Sequence, residues 1–371
     1  MSEVDVVTTI TTVIPTFQRP ALLRRAIHSV LDQTFTDFQI HVYDNASEDE
    51  TRSVVEDISR HDSRIQYFRH PTNIGLIQNF AFGINRVDSP FFTLLSDDDL
   101  LLPHFFETAV SALSGNPEAM AFVGTLIEAE ESGHILAIPF SSWREGIRRP
   151  PEALVDMIQR GPNTWTSMVF KRQLALGLFG LDESIGLAAD LDFEFRALAR
   201  YPIILSKTPC AVFLVHPRSA TSTQLTAGRF AMALSRMFRN LESDSMLDLK
   251  NHQAIAAMIL ARFRQITFVQ ARLAAIHGQT HEAITAANVL QRDFQSTCLA
   301  TLIRVMAQKT LLGTATRAAF RVARSPCHLQ RRLVSTWRYR QYARIVAHRL
   351  QSLEKTLAAH YEAKPGVRCS R

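Results

Sequence analysis

The chain has 371 residues, 46% of them hydrophobic and 20% charged. Its high apolar content excludes a mainly disordered chain, 14 Gly and 15 Pro exclude collagen-like classes, and the length allows one large domain or two smaller ones. The formal charge of +6 hides two unlike parts: residues 301–371 carry 15 Lys+Arg and 2 Asp+Glu, a net of +13, whereas residues 1–300 carry 26 and 33, a net of −7.

The N-terminus, MSEVDVV, lacks the basic start and apolar core of a signal peptide, and no stretch reaches the length of a spanning helix. Cys210, Cys298, Cys327 and Cys369 are far apart and form no CxxC pair, so they read as reduced thiols of a cytoplasmic protein.

The first hundred residues alternate short apolar runs with helical patterns. Val6–Ile14 reads as a buried strand ending at Pro15, and Ala21–Leu31 as a helix started at Arg19-Pro20. Phe38–Tyr43 is a second strand, closed by Asp44-Asn45. Glu50–Ser59 is a helix with Ser47 and Asp49 as candidate caps, Ile65–Arg69 a third strand, and Leu76–Asn85 a helix. Phe91–Leu95 is a fourth strand that runs into Ser96-Asp97-Asp98-Asp99, with a helix expected over Leu100–Ala109. This alternation implies crossover connections and a mostly parallel sheet. Ala121–Ala129 and Val212–His216 read as further strands and Asp190–Ala199 as a helix.

From about residue 225 helical periodicity dominates. The Ser/Thr-rich stretch PRSATSTQLT marks a boundary, dividing residues 1–220 from a basic helical region over 221–371. Within that region Phe263–Gln291, with Gly278 between its halves, reads as one helix-turn-helix, and His328–Ala363 as one long helix.

Open α/β sheets bind ligands beyond the carboxyl ends of their strands. Two such ends carry carboxylates here, Asp44 and Asp97-Asp98-Asp99. Three adjacent aspartates repel one another unless a cation neutralises them, and Mg²⁺ or Mn²⁺ is held by one or two carboxylates plus substrate phosphates. The plainer alternative is that one aspartate caps the next helix and the others are solvated.

The segment TVIPTFQRPALLRRAIHSVLDQTFTDFQIHVYDNASEDET resembles the opening of family 2 glycosyltransferases, and NIGLIQNF, FFTLLSDDDLLLP and AADLDFEFRAL follow in the family's order. The resemblance covers roughly residues 8–216. It implies a GT-A fold and inverting transfer of a sugar from a nucleotide-diphosphate donor, with Mg²⁺ or Mn²⁺. Pro15, Thr16 and Arg19 match the loop that cradles the nucleoside, and Asp44 the aspartate that meets the nucleobase. Asn73, Gly75 and Asn79 match the short motif before the fourth strand. Asp98 falls on the metal-ligating aspartate and Asp97 near the donor ribose, with Asp97 or Asp99 as the second anchor because Ser96 replaces the usual first aspartate. Asp190 matches the general base, whose usual Glu neighbour is replaced by Ala189. His216, with Arg218 beside it, matches a position that reaches the diphosphate or metal. Trp165 is a candidate for the acceptor side or for the core. Asp190 also has a plain reading as a helix cap, with Asp192 and Glu194 adding first-turn charge.

The chain contains no G-x-G-x-x-G after the first strand, no P-loop and no G-x-S-x-G. Two other functions compete with glycosyl transfer. A sugar nucleotidyltransferase is disfavoured by a first loop, Pro15–Arg19, without Gly. The other is a non-catalytic adaptor acting through the helical tail. Carbohydrate or lipid-linked acceptors are the expected partners. The basic tail has three readings: contact with an anionic inner-membrane surface, nucleic-acid binding (the least favoured, for want of a motif), and an oligomer or partner surface with a solvated arginine face.

Overall fold

The computed structural model describes residues 8–139, 143–161, 164–178, 180–243, 253–308, 310, 312–320 and 339–362. Its centre is a ten-stranded mixed sheet. β1 (Ile10–Thr16), β2 (Phe38–Asp44), β3 (Ile65–Arg69) and β4 (Phe91–Leu94) form the parallel half, in the order β3-β2-β1-β4. The connections are α1 (Pro20–Leu31), α2 (Thr51–Ser59) and α3 (Leu76–Ile84).

The sheet continues through β9 (Met168–Lys171), β6 (Ala121–Ala129), β10 (Ile203–Leu214) and β5 (Leu100–Leu101). β9 is antiparallel to both β4 and β6, and β10 is parallel to β6. β7 (Ile135–Ala137) and β8 (Gly146–Arg148) are antiparallel additions to β6 and β10.

Pro15 shapes the functional end of this sheet. Thr16 accepts a hydrogen bond from Asn45 of the β2 side, and Val13 accepts one from Leu95 of the β4 side. Alternate residues of β1 therefore face opposite neighbours, and Pro15 faces β4. The next bond of that ladder would need an N–H that Pro15 lacks, so pairing stops and the chain after β4 is released into the aspartate loop.

Two layers cover the sheet. Leu23, Ile27 and Val30 of α1, Val55 and Ile58 of α2, and Phe105 and Phe106 of α4 (Phe105–Gly115) pack with Ile14, Ile40 and Phe122. The other face is shared by α3, α5 (Glu152–Arg160), α7 (Ala189–Arg200) and the C-terminal helices α9 (Ala227–Ser243), α10 (Gln253–Ile276), α11 (Thr280–Arg292) and α12 (Thr297–Ala307). Between these lie α6 (Arg172–Gly177) and α8 (Ala220–Gln224), and residues 312–320 form α13. Phe195 of α7 packs on Phe263 of α10, with ring centroids 5.5 Å apart, so the helical region and the sheet share one apolar core.

The expected helix over Leu100–Ala109 is corrected. Leu100–Leu101 pair with Val212 and Ala211 as β5, and the helix begins at Phe105, after Pro103. The last strand, expected at Val212–His216, is the long β10, and His216 lies beyond its end. The hairpin expected over Phe263–Gln291 is α10–α11, turned at Gly278 with φ +76°, a left-handed conformation that favours glycine.

Of the expected long helix His328–Ala363, α14 (Arg340–Glu362) is seen, and residues 328–338 lie outside the described residues. α14 has an internal partner. Val346 and Leu353 pack with Leu100, Leu102 and Ile127 at the sheet edge. Arg349, buried, donates to the carbonyls of Ser29 and Leu101 and pairs with Asp32 at 2.9 Å. Among the described residues no helix is long and apolar enough to cross a membrane, and Cys210 and Cys298 are free thiols.

Candidate active site

A cavity of about 510 Å³ opens at the carboxyl ends of β1 and β4. Nine of the twelve expected site residues line it: Pro15, Thr16, Arg19, Asn73, Gly75, Asn79, Asp97, Asp98 and Asp190. Asp44, Asp99 and His216 do not.

The loops around β1 and β2 are fixed by side-chain amides. Both ends of the Asn45 amide clamp the Asn73-Ile74 segment. Asn45 Nδ2 donates to Asn73 Oδ1 at 2.9 Å, and Asn45 Oδ1 accepts from Ile74 N at 2.7 Å. Asn73 Oδ1 also accepts from Gly75 N, which starts α3 at φ +94°. Asn79 bridges Tyr43 O and His70 Nε2. Asp44 is fully buried: Oδ1 accepts from Ser47 N and Oδ2 from the Tyr67 hydroxyl. Its oxygens thus hold the loop after β2, and its neighbour Asn45 reaches the cavity.

The three aspartates after β4 have three environments. Asp97 accepts from Thr16 Oγ1 at 2.8 Å and from Arg19 at 3.2 Å, and burial, with Asp98 next to it, pushes its carboxyl up to about 6. Asp98 Oδ2 meets both Arg19 Nη1 at 2.9 Å and His216 Nε2 at 3.0 Å. Arg19 is anchored in turn on the carbonyl of Arg218. Asp99 points away from the cavity. Thr166 Oγ1 and Leu214 N donate to its two oxygens, and burial holds its carboxyl well above the usual range. Asp99, expected among the donor-binding residues, thus does not line the cavity. It staples the aspartate loop to β10 and to the 3₁₀ turn Trp165–Ser167, which leaves Asp97 as the inward neighbour of Asp98. None of the three caps the next helix.

Asp190 stands in the first turn of α7, where its Oδ1 accepts from Leu191 N. One side opens to the cavity, and close packing on the others pushes its carboxyl up to about 6. Asp192 and Glu194, read from the sequence as added first-turn charge, both lie in the interior. Asp192 is fully buried and pairs with Arg196 at 2.7 Å. Glu194 is 1% exposed, one turn from Asp190, and neither of its oxygens has a hydrogen-bond partner among the described residues. Burial, reinforced by Asp190, holds its carboxyl well above the usual range. Sequence spacing alone offered one signal for it, the i, i+4 relation to Asp190.

Residues 11–177 match the family model described as Glycosyl transferase family 2. This part of the chain is a family 2 glycosyltransferase domain. Over 119 residues it is 37% identical to GalNAc(5)-diNAcBac-PP-undecaprenol beta-1,3-glucosyltransferase of Campylobacter jejuni, covering 32% of this chain and 38% of that protein. An uncharacterized glycosyltransferase of Rickettsia typhi is 25% identical over 253 residues, or 66% of this chain and 76% of the relative. The chain thus spans well under half the length of the Campylobacter protein.

Among solved structures, Staphylococcus aureus TarS 1–349 in complex with UDP-GlcNAc superposes with a TM-score of 0.62 at 14% identity, covering 90% of this chain and 92% of that one. Mannosyltransferase PcManGT from Pyrobaculum calidifontis, in complex with GDP-Man and Mn²⁺, gives 0.52 at 15% identity, with coverages of 92% and 86%. These likenesses establish the GT-A type of fold, with a helical C-terminal region.

The glycosyltransferase domain does not form the whole cavity. Ser219, Gln224 and Leu225 close one side, and Phe230 of α9 completes it. Sequence reasoning places a boundary in 217–226, with no site residue after Arg218. The overlooked signal is a cap: Ser219 Oγ accepts from Ser222 N and starts α8. Trp165 is buried against Phe80, with ring centroids 4.6 Å apart, and also lines the cavity. Among the described residues no group of three or more His, Cys, Asp or Glu side chains could hold a metal ion by itself.

Proposed function

We propose that the protein is an inverting glycosyltransferase. It moves a sugar from a nucleotide-diphospho-sugar donor to a hydroxyl of a carbohydrate or lipid-linked acceptor, in bacterial glycoconjugate or cell-surface polysaccharide synthesis. The observation that carries this reading is a single cavity lined by Asp97, Asp98 and Arg19 as well as by Asp190. The loop residues Pro15, Thr16, Asn45 and Asn73 would take the nucleoside.

Asp98, which lines the cavity beside Asp97, suits Mg²⁺ or Mn²⁺, hard ions held by one or two carboxylates, and the oxygens of the donor diphosphate would complete the coordination. When bound, such an ion supplies Lewis-acid stabilisation of the departing diphosphate. Arg19 brings a fixed positive charge to the same place, held by Asp97, Asp98 and the Arg218 carbonyl.

Asp190 would be the general base. A carboxyl lifted to about 6 is ionised at neutral pH yet more basic than an ordinary aspartate, which suits proton removal from an acceptor hydroxyl. The hydroxyl oxygen forms a bond to the anomeric carbon as the bond to the diphosphate breaks, and Asp190 keeps the proton. No covalent nucleophile is needed.

The Campylobacter relative is named for a PP-undecaprenol-linked glycan, and TarS was solved with UDP-GlcNAc. UDP-sugars and polyprenyl-diphosphate glycans are therefore the first substrates to test, in a reaction on the cytoplasmic side of the membrane. We take residues 1–220 as the catalytic domain and 221–371 as a helical region that completes its cavity. The test is transfer, or donor hydrolysis, by the purified full chain with Mn²⁺ or Mg²⁺. Activity that Asp98→Ala and Asp190→Asn each abolish supports the assignment, and full activity in either variant defeats it.

A further inference from the structure

Next to the active-site cavity lies a second one of about 520 Å³, and the two share Leu187, Gln224 and Leu225 as a common wall. Its chemistry is the opposite of the first. Arg229, Arg236 and Arg239 of α9 and Arg292 at the end of α11 line it, and no Asp or Glu does. The α9 arginines follow the helical repeat, so they share one face with Met232.

Two carboxylates outside the lining steady this cluster. Asp182 lies 3.9 Å from Arg236, and Asp293 lies 2.7 Å from Arg292 and 4.0 Å from Arg239. Both are already used elsewhere: Asp182 accepts from Asn240 and Ser184, and Asp293 from Ser235. Four guanidinium groups therefore face two carboxylates, which leaves an excess of positive charge on the cavity wall. The side chains of Arg236, Arg239 and Arg292 are 49%, 58% and 72% exposed, so their donors remain accessible to a ligand.

The position relative to Asp190 gives this excess a meaning. The 3₁₀ stretch Glu183–Ala188 leads directly into α7. Its residues Ser184–Leu187 face the arginine cavity, while Leu187, Ala188 and Asp190 face the active-site cavity. A group held by the arginines thus sits across the shared Leu187, Gln224 and Leu225 from the cavity that Asp190 lines.

We propose that this cavity is an acceptor subsite that binds a phosphate or diphosphate group carried by the acceptor, and so presents the acceptor hydroxyl to Asp190. This rests on the glycosyltransferase reading above. Guanidinium groups suit the ligand because each can donate two parallel hydrogen bonds to phosphate oxygens. Exposed Met232 and half-buried Leu225 add an apolar border that a sugar ring or prenyl chain could cover. The phosphate could belong to a lipid carrier or to a soluble phosphorylated glycan.

The test uses the full chain with its donor cavity saturated by UDP and Mn²⁺. One arm titrates soluble glucose 1-phosphate, and the other measures binding to phosphatidylcholine vesicles with and without polyprenyl phosphate. The wild type should bind at least one probe, and Arg236→Gln/Arg239→Gln should weaken that binding about tenfold or more. UDP affinity and melting temperature should stay unchanged, because these exposed side chains do not line the donor cavity. Binding confined to prenyl-phosphate vesicles assigns the phosphate to a lipid, and binding of glucose 1-phosphate assigns it to a soluble acceptor.

Failure of the wild type to bind either probe, or equal binding by the double variant, overturns the proposal. A chain that binds phosphate at these arginines but transfers no sugar from any donor defeats the functional reading and leaves the phosphate site standing. A chain that transfers sugar with no phosphate preference does the reverse.

Discussion

The two cavities that meet at Leu187 are built on opposite principles. The sheet-derived cavity carries carboxylates that are buried, each with its own donors or a raised pKa, and attached to loops pinned by Asn45, Asn73 and Asp99. The helix-derived cavity carries exposed arginines, three spaced along α9 and a fourth, Arg292, at the end of α11 and bonded to Asp293. Desolvated charges interact strongly and must be positioned, which suits bond-making and proton transfer. Exposed charges interact weakly and adaptably, which suits capture of a ligand. Changes on the first side should therefore act on turnover, and changes on the second on affinity.

The largest effect should come from Asp190. Asp190→Asn is expected to lower kcat by about 10²–10⁴-fold with little change in donor KM, measured as initial rates of transfer. An affinity change without a rate change would erase the contrast between the two cavities. Metal removal should come next. Chelation should stop turnover in the wild type and added Mn²⁺ restore it, whereas Asp98→Ala should not recover. Arginine variants should respond to Mn²⁺ as the wild type does.

A third prediction concerns the buried cation of the helical region. Arg349→Ala leaves two buried carbonyls and Asp32 without their donor, and should cost about 2–3 kcal/mol in denaturant unfolding. Arg236→Gln, at an exposed position, should leave unfolding within about 0.5 kcal/mol of the wild type.

The smallest predicted effect is a pH slope. Glu194 has a raised carboxyl in the folded chain, so the folded state holds its proton where the unfolded state has lost it. Its contribution to stability is present below the ordinary glutamate value and declines as pH rises above it. Glu194→Gln carries no such proton, so the melting temperature of the variant relative to the wild type should increase with pH. A difference independent of pH would mean that Glu194 is not a buried neutral acid.

The part of this picture legible in the sequence is the part made by contiguous residues. The aspartates around Asp98 could be read because a short apolar run ends in a polar cluster, and Pro15, Asn73 and Asp190 because their segments resemble those of a known family, and the structure brings them to one cavity. What could not be read depends on contacts between distant segments. β9 is four residues long and antiparallel, and nothing in Met168–Lys171 announces its place between β4 and β6. Leu100–Leu101 resemble the start of a helix until β10 is beside them. Asp99 read as a candidate anchor for the donor and Glu194 as helix first-turn charge, and the deep burial of both is a property of the assembled core. The basic tail had three expected partners, and the structure adds a fourth, the chain's own sheet edge, against which α14 packs.

The most direct test of the central claim is the pH dependence of transfer by the wild type and Asp190→Asn, measured with Mn²⁺ and a UDP-sugar from about pH 5 to 8. The wild-type rate should climb through a midpoint near the raised value of about 6 as Asp190 ionises, and the variant should be slow and lack that step. A variant that keeps the wild-type rate and the same midpoint would contradict the assignment of Asp190 as the base.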